Sequence, residues 1–272
     1  MNPSRFSPIL VLVALSLMVS LASAADPMAN YDQGVQLAAQ GKFAEANAAF
    51  EQALKLDPQN APVLKCLSVL TDVREGRLKD QTALHLFRAF ASYNRFRTDD
   101  AIKELNRAAE LDPRYALTYS HRGDAYADQG KLDQALADYG RALEINPGYA
   151  MAYLNRGILY AKQSRLDQAM ADFNRALKAD PRYMQAYYSR GNVYGQQGRW
   201  DQAIADYDRL LEINPGYPHA YVRKGLALEK AGRLPEALAT YQAYLQKVNL
   251  PAQDPRQVQF VRDKIKSLEK QP

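Results

Sequence analysis

The sequence predicts an all-α fold built of repeated helical hairpins, and three columns of residues at one fixed spacing carry that prediction. Glycine, alanine and proline each recur every 34 residues over most of the chain. The members are Gly123, Gly157, Gly191 and Gly225; Ala135, Ala169, Ala203 and Ala237; and Pro113, Pro147, Pro181 and Pro215. A period of this length is typical of an array in which each repeat is one supersecondary unit.

Each repeat contains two runs with helical spacing. In the repeat 116–149, Tyr119, Gly123 and Tyr126 fall at i, i+4 and i+7, which places them on one helical face. The second run, from Ala135 to Ala142, has the same spacing. A glycine inside a helix costs about 1 kcal/mol relative to alanine. Its recurrence therefore predicts a close approach between the two helices.

The period and these residues together resemble the tetratricopeptide repeat family, over most of residues 28–251. The resemblance implies a right-handed superhelical solenoid of helix–turn–helix repeats. It also implies a concave groove, lined by the first helix of each repeat, that grips an extended peptide or a partner helix. A solenoid needs a polar cap at its end.

The first segment of the chain, 1–24, has the pattern of a secretory signal peptide. Arg5 is followed by an apolar run from Pro8 to Leu21 and by Ala22-Ser23-Ala24, an A-x-A cleavage site. The apolar run is shorter than the roughly 20 residues that span a bilayer. We therefore expect cleavage before Ala25, export to the periplasm and no stable membrane insertion afterwards.

The repeats are interrupted once. Residues 27–60 form a first repeat, but the next proline of the column comes 55 residues after Pro58, which is one period of 34 plus 21. Residues 61–81 are therefore predicted to be an irregular helical insertion. Five repeats follow over 82–251, and residues 254–270 are predicted to form the capping helix. The five repeats are 82–115, 116–149, 150–183, 184–217 and 218–251.

Most tyrosines follow the same period and are predicted to be packing residues rather than a sugar or base site. One column pairs charges instead, because each basic residue has an acidic residue sixteen positions later. We expect a bridge between the two helices of a repeat in each case. The pairs are Arg88 with Glu104, Arg122 with Asp138, Arg156 with Asp172, and Arg190 with Asp206; the last repeat has Lys224 and Thr240.

Composition and motifs disfavour catalysis and nucleic-acid binding. The net charge of +5 is mild and no block of lysine or arginine occurs. The lone cysteine, Cys66, excludes an internal disulfide, and the three histidines and one cysteine have no metal-site spacing. Phosphate-binding and nucleophile motifs are absent. We therefore predict a non-enzyme that needs no metal or cofactor and binds no nucleic acid.

The resemblance places the partner-binding groove on the first helix of each repeat. The predicted groove residues are Asp124, Asp128, Asn155, Lys162, Gln185, Tyr188, Asn192, His219, Arg223 and Lys230. Their charge runs from acidic through amide-rich to basic, which would orient a bound segment. Asn155 and Arg223 alone do not complete the carboxylate clamp of the family, so a chaperone tail is not predicted.

A second apolar set lies in the divergent repeat 82–115. Phe87, Phe90 and Tyr93 would line the groove as an interface, or would pack on the insertion 61–81. The predicted function is a protein-binding scaffold or adaptor of the bacterial cell envelope, with a protein or peptide segment as partner. Two alternatives stay open: a self-associating structural or assembly factor that uses 61–96, and an accessory subunit of an envelope enzyme.

Overall fold

The computed structural model describes residues 26–58, 60–248 and 253–270, and the predicted signal peptide lies outside them. The described residues form fourteen α-helices and no strand, so the all-α fold is confirmed. The helices are α1 Pro27–Ala39, α2 Phe43–Leu56, α3 Ala61–Arg74, α4 Asp80–Tyr93, α5 Thr98–Leu111, α6 Ala116–Asp128, α7 Leu132–Ile145, α8 Ala150–Lys162, α9 Leu166–Ala179, α10 Met184–Gln196, α11 Trp200–Ile213, α12 Pro218–Lys230, α13 Leu234–Lys247 and α14 Pro255–Leu268.

The described residues fall into two compact units, the first ending at Asp138 and the second beginning at Tyr139, within α7. In the first unit, α1 packs against α2 and α4, and α5 packs against α4 and α6. Three phenylalanines occupy its centre. The ring of Phe87 lies 6.2 Å from that of Phe50 and 5.7 Å from that of Phe90, measured between centroids.

The insertion folds as a helix that joins this core. Val63, Cys66 and Val69 of α3 are buried in the same cluster as Phe50 and Phe87. The phenol of Tyr115 donates a hydrogen bond of 2.8 Å to Asp72 Oδ2, which ties the end of α3 to the start of α6. Thus α3 is an integral packing element of the first unit.

Cys66 is buried and forms no disulfide. Burial raises the pKa of its thiol to about 12. Because the thiolate is the reactive species, we expect alkylation by iodoacetamide at pH 8 to be at least about 1,000-fold slower in the folded chain than in the unfolded chain. Mass spectrometry of timed aliquots, with and without denaturant, measures both rates. Equal rates would contradict the burial of Cys66.

The second unit consists of hairpins α8–α9, α10–α11 and α12–α13, with α14 packed against α13. In each hairpin the glycine of the first helix faces an aromatic ring sixteen residues later. A Cβ on Gly157, Gly191 or Gly225 would lie 2.7 Å from Phe173, 2.8 Å from Tyr207 or 2.4 Å from Tyr241. No side chain larger than hydrogen fits these contacts without a shift of the ring.

Three of the predicted charge pairs form bidentate bridges. Arg122, Arg156 and Arg190 each donate two hydrogen bonds of 2.6–2.9 Å to Asp138, Asp172 and Asp206, respectively. The guanidinium of Arg190 also donates to Asn174 Oδ1 at 2.6 Å, on the preceding hairpin. Arg122 donates in the same way to Asn106 Oδ1 at 2.9 Å. Each bridge therefore fixes the register of two helices, and those at Arg122 and Arg190 each add a third helix.

The fourth predicted pair is wrong. Arg88 Nε donates to the carbonyl of Ala39 at 3.3 Å, while Glu104 pairs with His85 at 2.6 Å. In this repeat α4 packs against α1, which draws the arginine towards the end of that helix. His85 instead of Arg88 therefore contacts the Glu104 carboxylate.

Candidate functional site

The groove face of the second unit is the face of α8, α10 and α12 that carries Asn155, Tyr188, Asn192 and Arg223. The packing columns occupy the other side of these helices: Gly157, Gly191 and Gly225 lie against α9, α11 and α13. Residues of the groove face are accordingly half-buried or exposed. Four of them gather at the junction of the last two hairpins.

The junction patch consists of Tyr188, Tyr217, His219 and Arg223. The ring of Tyr188 lies 5.9 Å from that of Tyr217, which lies 6.1 Å from the imidazole of His219. Arg223 Nε donates a long hydrogen bond of 3.5 Å to the Tyr188 hydroxyl. Both tyrosines are half-buried, whereas His219 and Arg223 are exposed. The patch therefore offers two aromatic rings beside an accessible cation.

A second layer holds this patch in place. The buried phenol of Tyr207 donates to Asn192 Oδ1 at 2.9 Å, and its ring lies 6.2 Å from that of Tyr188. Burial raises the pKa of Tyr207 well above the usual range of a phenol, so the hydroxyl stays a donor at neutral pH. Asn192 is consequently a support for the patch through its bond to Tyr207.

The electrostatics of the patch favour an anionic ligand group. The hydrogen bond to Tyr188 raises the pKa of Arg223, which keeps its charge at all physiological pH values. Burial raises the pKa of Tyr217, which stays neutral. A carboxylate that reaches Arg223 would thus meet a fixed positive charge beside neutral phenols.

The other predicted groove residues of the second unit lie on the same three helices. Lys162, Gln185 and Lys230 are exposed, and Asn155 is half-buried with interactions of its own. At the far end, α14 approaches the same face, since Gln257 Nε2 lies 3.5 Å from His219 Nδ1. Lys264 of α14 also pairs with Glu229 at 2.8 Å. The capping helix therefore borders the patch.

The two acidic groove residues belong to the first unit, where α3 changes their surroundings. Asp128 is exposed, but Asp124 lies 3.5 Å from His121 and close to Lys65 of α3. Burial lowers the pKa of Lys65 and of His121, and the Asp124 carboxylate opposes both shifts. Asp124 therefore interacts with His121 and Lys65 of its own unit, which the groove prediction did not include.

The interface predicted at Phe87, Phe90 and Tyr93 does not agree with the structure at the two phenylalanines, because both are buried. Phe87 is fully buried and Phe90 is 8% exposed, because both pack in the core that α3 completes. Tyr93 alone reaches the surface. The packing alternative describes the two phenylalanines, and Tyr93 alone of the three could contact a partner.

One residue of the junction patch, Tyr217, is not among the groove residues predicted from the sequence. Tyr217 follows the 34-residue period with Tyr115, Tyr149 and Tyr183, which predicts packing, yet its half-exposed ring completes the patch beside Tyr188. Its place directly before α12 is the signal that could have indicated this. Outside this site, in the first unit, Phe96 occupies a turn position that carries glycine in most of the equivalent turns.

Metal-binding groups and membrane-spanning helices are not found in the described part of the chain. Within it, no group of three or more histidine, cysteine, aspartate or glutamate side chains is arranged to hold a metal ion. Among the described helices, none has the length and apolar character needed to cross a membrane.

Comparisons with known proteins agree with the repeat architecture. Profiles described as tetratricopeptide repeat match residues 27–60 and 188–255, and one described as TPR repeat matches 97–130, 123–164 and 159–198. The comparison with curated proteins gave no match.

Three solved structures are similar to the chain. A crystal structure of MamA is 26% identical, with a TM-score of 0.56 over 62% of this chain and 93% of that one. PilW, titled a widely conserved type IV pilus biogenesis factor, is 21% identical, with a TM-score of 0.59 over 85% of this chain and 98% of that one. PilF of Pseudomonas aeruginosa is 20% identical, with a TM-score of 0.59 over 70% and 89%. The PilW and PilF likenesses concern the fold alone. The chain belongs to the tetratricopeptide repeat family, whose members generally serve as non-catalytic scaffolds for protein–protein interaction.

Proposed function

We propose that this chain is a non-catalytic scaffold of the bacterial cell envelope that binds a segment of a partner protein on the groove face of its second unit. The junction patch of Tyr188, Tyr217, His219 and Arg223 is the anchor. The partner segment presents a carboxylate to Arg223 and an apolar or aromatic side chain to the two tyrosine rings.

The observation that carries this proposal is the contact set around Tyr188. Its ring lies against Tyr207 and Tyr217, and its hydroxyl accepts from Arg223, while the ring remains half-exposed. Tyrosine and arginine are the residue types enriched at binding hot spots. Rings already held by their neighbours lose little freedom when a partner binds, which favours affinity.

The envelope location rests on the amino-terminal sequence. A basic residue, an apolar run and Ala22-Ser23-Ala24 precede the first repeat. An exported chain of mild net charge lacks the strong positive charge that attracts nucleic acid, so a protein segment is the partner class that fits.

In-cell photo-crosslinking tests the groove face directly. Benzoylphenylalanine replaces Tyr188 in one strain and Lys178, an exposed residue at the end of α9, in a matched strain. We expect one dominant protein adduct from position 188 and no adduct of the same mass from position 178. Mass spectrometry identifies the crosslinked protein. The same adducts from both positions, or none from 188, would overturn the proposal. An adduct with an enzyme would assign the accessory-subunit role.

Reversal of the anchor charge gives a quantitative prediction. Arg223→Glu places a carboxylate where the partner's own carboxylate binds, so we expect affinity for the crosslinked segment to fall at least about 10-fold. Lys178→Glu makes the same charge change away from the groove face and should alter affinity less than about 2-fold. Titration calorimetry with the synthetic segment compares the two. Equal losses would show a response to net charge instead of to the patch.

A further inference from the structure

Helix α3 packs against residues of the first unit that correspond in the repeat to the groove face of the second unit. Leu86 and Phe90 of α4 precede Tyr188 and Asn192 by three periods of 34 residues. Leu86 and Phe90 are buried in one cluster with the apolar face of α3, whereas Tyr188 and Asn192 are half-buried. We call Leu86 and Phe90 the groove positions of the first unit. Helix α3 thus occludes positions whose equivalents in the second unit stay accessible.

Polar groups hold α3 to α6 at two places. Tyr115, directly before α6, donates a hydrogen bond of 2.8 Å to Asp72 near the end of α3. Two turns earlier on α3, the half-buried Lys65 interacts electrostatically with Asp124 of α6. Burial lowers the pKa of Lys65, and the Asp124 carboxylate opposes that shift. The second of these contacts therefore places a charged pair at the boundary between α3 and α6.

His121 of α6 lies at the same boundary. Its side chain is 16% exposed, and its ring centroid lies 4.8 Å from that of Phe90. Its Nδ1 lies 3.5 Å from Asp124 Oδ2, and its Nε2 is buried with no hydrogen-bond partner among the described residues. The charged groups that face the imidazole are Lys65 of α3 and Asp124 of α6, while α4 presents the apolar ring of Phe90. A neutral imidazole fits here, because it carries a single N–H.

A protonated imidazole fits this boundary poorly. Protonation adds an N–H at Nε2, which has no acceptor there, and a positive charge beside that of Lys65. Burial, the largest cause, and the Lys65 charge lower the pKa of His121, although Asp124 opposes the shift. A histidine with a lowered pKa takes up a proton when its surroundings open. The closed state is therefore fully stable above the ordinary histidine pKa of about 6.5 and loses stability as the pH falls below it.

We propose that acidification opens the contact of α3 with α6 through proton uptake by His121, and that this opening exposes the groove positions of the first unit. The opening is local, so that α3 separates while the helical hairpins stay folded. Uptake of one proton shifts the opening equilibrium by at most about 10-fold for each pH unit below 6.5. At pH 5.0 the limit is about 30-fold, and we expect about 10-fold.

Hydrogen exchange followed by mass spectrometry measures this opening, on the chain without its predicted signal peptide. The exchange rates of peptides from α3 and α10 are divided by the intrinsic rates at pH 7.5 and pH 5.0, which removes the pH dependence of the exchange chemistry. We expect the protection of α3 to be about 10-fold lower at pH 5.0, and that of α10 to change less than about 2-fold. Unchanged protection of α3 would overturn the proposal. An equal loss in α10 would also overturn it, as global unfolding.

Three variants assign the effect to a residue. His121→Gln cannot titrate, so its α3 protection should differ less than about 2-fold between the two pH values. This ratio is taken within one variant and does not require wild-type stability. Lys65→Met removes the repelling charge and should reduce the ratio to about 3-fold. His85→Gln is the matched control, because His85 is 19% exposed in the same unit and pairs with Glu104. It should keep the wild-type ratio.

The variants can also contradict the proposal. A wild-type ratio in His121→Gln would assign the pH dependence to another group. A ratio lost in His85→Gln would assign it to the pair with Glu104. A wild-type ratio in Lys65→Met would show that α3 does not sense the charge of His121.

Discussion

Gly191→Ala should lower the free energy of unfolding by about 1–3 kcal/mol, although alanine is the better helix former. The added Cβ would lie 2.8 Å from Tyr207 Cε1 and 3.1 Å from its Cζ. The ring cannot move aside easily, because Tyr207 is 2% exposed and its hydroxyl donates to Asn192. Overpacking of a fixed ring therefore outweighs the gain in helix propensity.

A matched control lies one turn away on the same helix. Gly195 is also within α10, but the nearest atom to a Cβ built there is Trp200 Cζ3, at 3.7 Å, an ordinary contact. Gly195→Ala should therefore raise stability by about 0.5–1 kcal/mol. Urea denaturation of both variants compares the midpoints, since a repeat array need not unfold in two states. Shifts of equal sign would contradict the packing account.

The glycine contacts illustrate how much the sequence could predict. Gly191 and Tyr207 stand in separate columns of the same period, and a costly helical glycine predicted a close approach. The period supports that inference because every repeat solves the same packing problem. The bidentate bridge between Arg190 and Asp206 could be predicted for the same reason.

The period could not predict what departs from it. The segment 61–81 occurs once, so nothing in the repeat says where its helix packs. The structure places Cys66 of α3 in the core with Phe87, and Lys65 of α3 near Asp124. These contacts join residues distant in sequence, and they bury Phe87 and engage Asp124. The predictions for that unit were therefore weaker than those for the regular repeats.

The candidate site could be predicted from the sequence only in part. Tyr188 can be predicted because the 34-residue period does not repeat it: Leu154 and Val222 stand one period away on either side. The role of Tyr217 could not be predicted from the sequence, since a residue in a packing column can still expose one face of its ring. The distinction depends on the angle between neighbouring helices, and spacing along the chain does not contain that angle.

Arg156→Ala should be the most destabilising single change among the charge pairs, at about 3 kcal/mol. It removes both hydrogen bonds to Asp172, at 2.7 and 2.8 Å, and leaves a carboxylate that is 2% exposed without this partner. Arg175 lies 3.6 Å from the same carboxylate on an exposed side chain and cannot replace the bidentate contact. Arg175→Ala is accordingly the control, with an expected loss below about 0.5 kcal/mol.

The double variant Arg156→Ala/Asp172→Thr removes both charges, and its threonine copies Thr240 of the last repeat. The Asp172 side chain is 2% exposed, so its carboxylate loses nearly all of its hydration on folding, and this cost offsets much of its attraction to Arg156. When both charges leave the interior that cost disappears as well. The double variant should therefore be more stable than Arg156→Ala by about 1–2 kcal/mol, measured by the same denaturation. A loss equal to the sum of the two single changes would mean that the two side chains are not energetically coupled, which would contradict this account of the bridge.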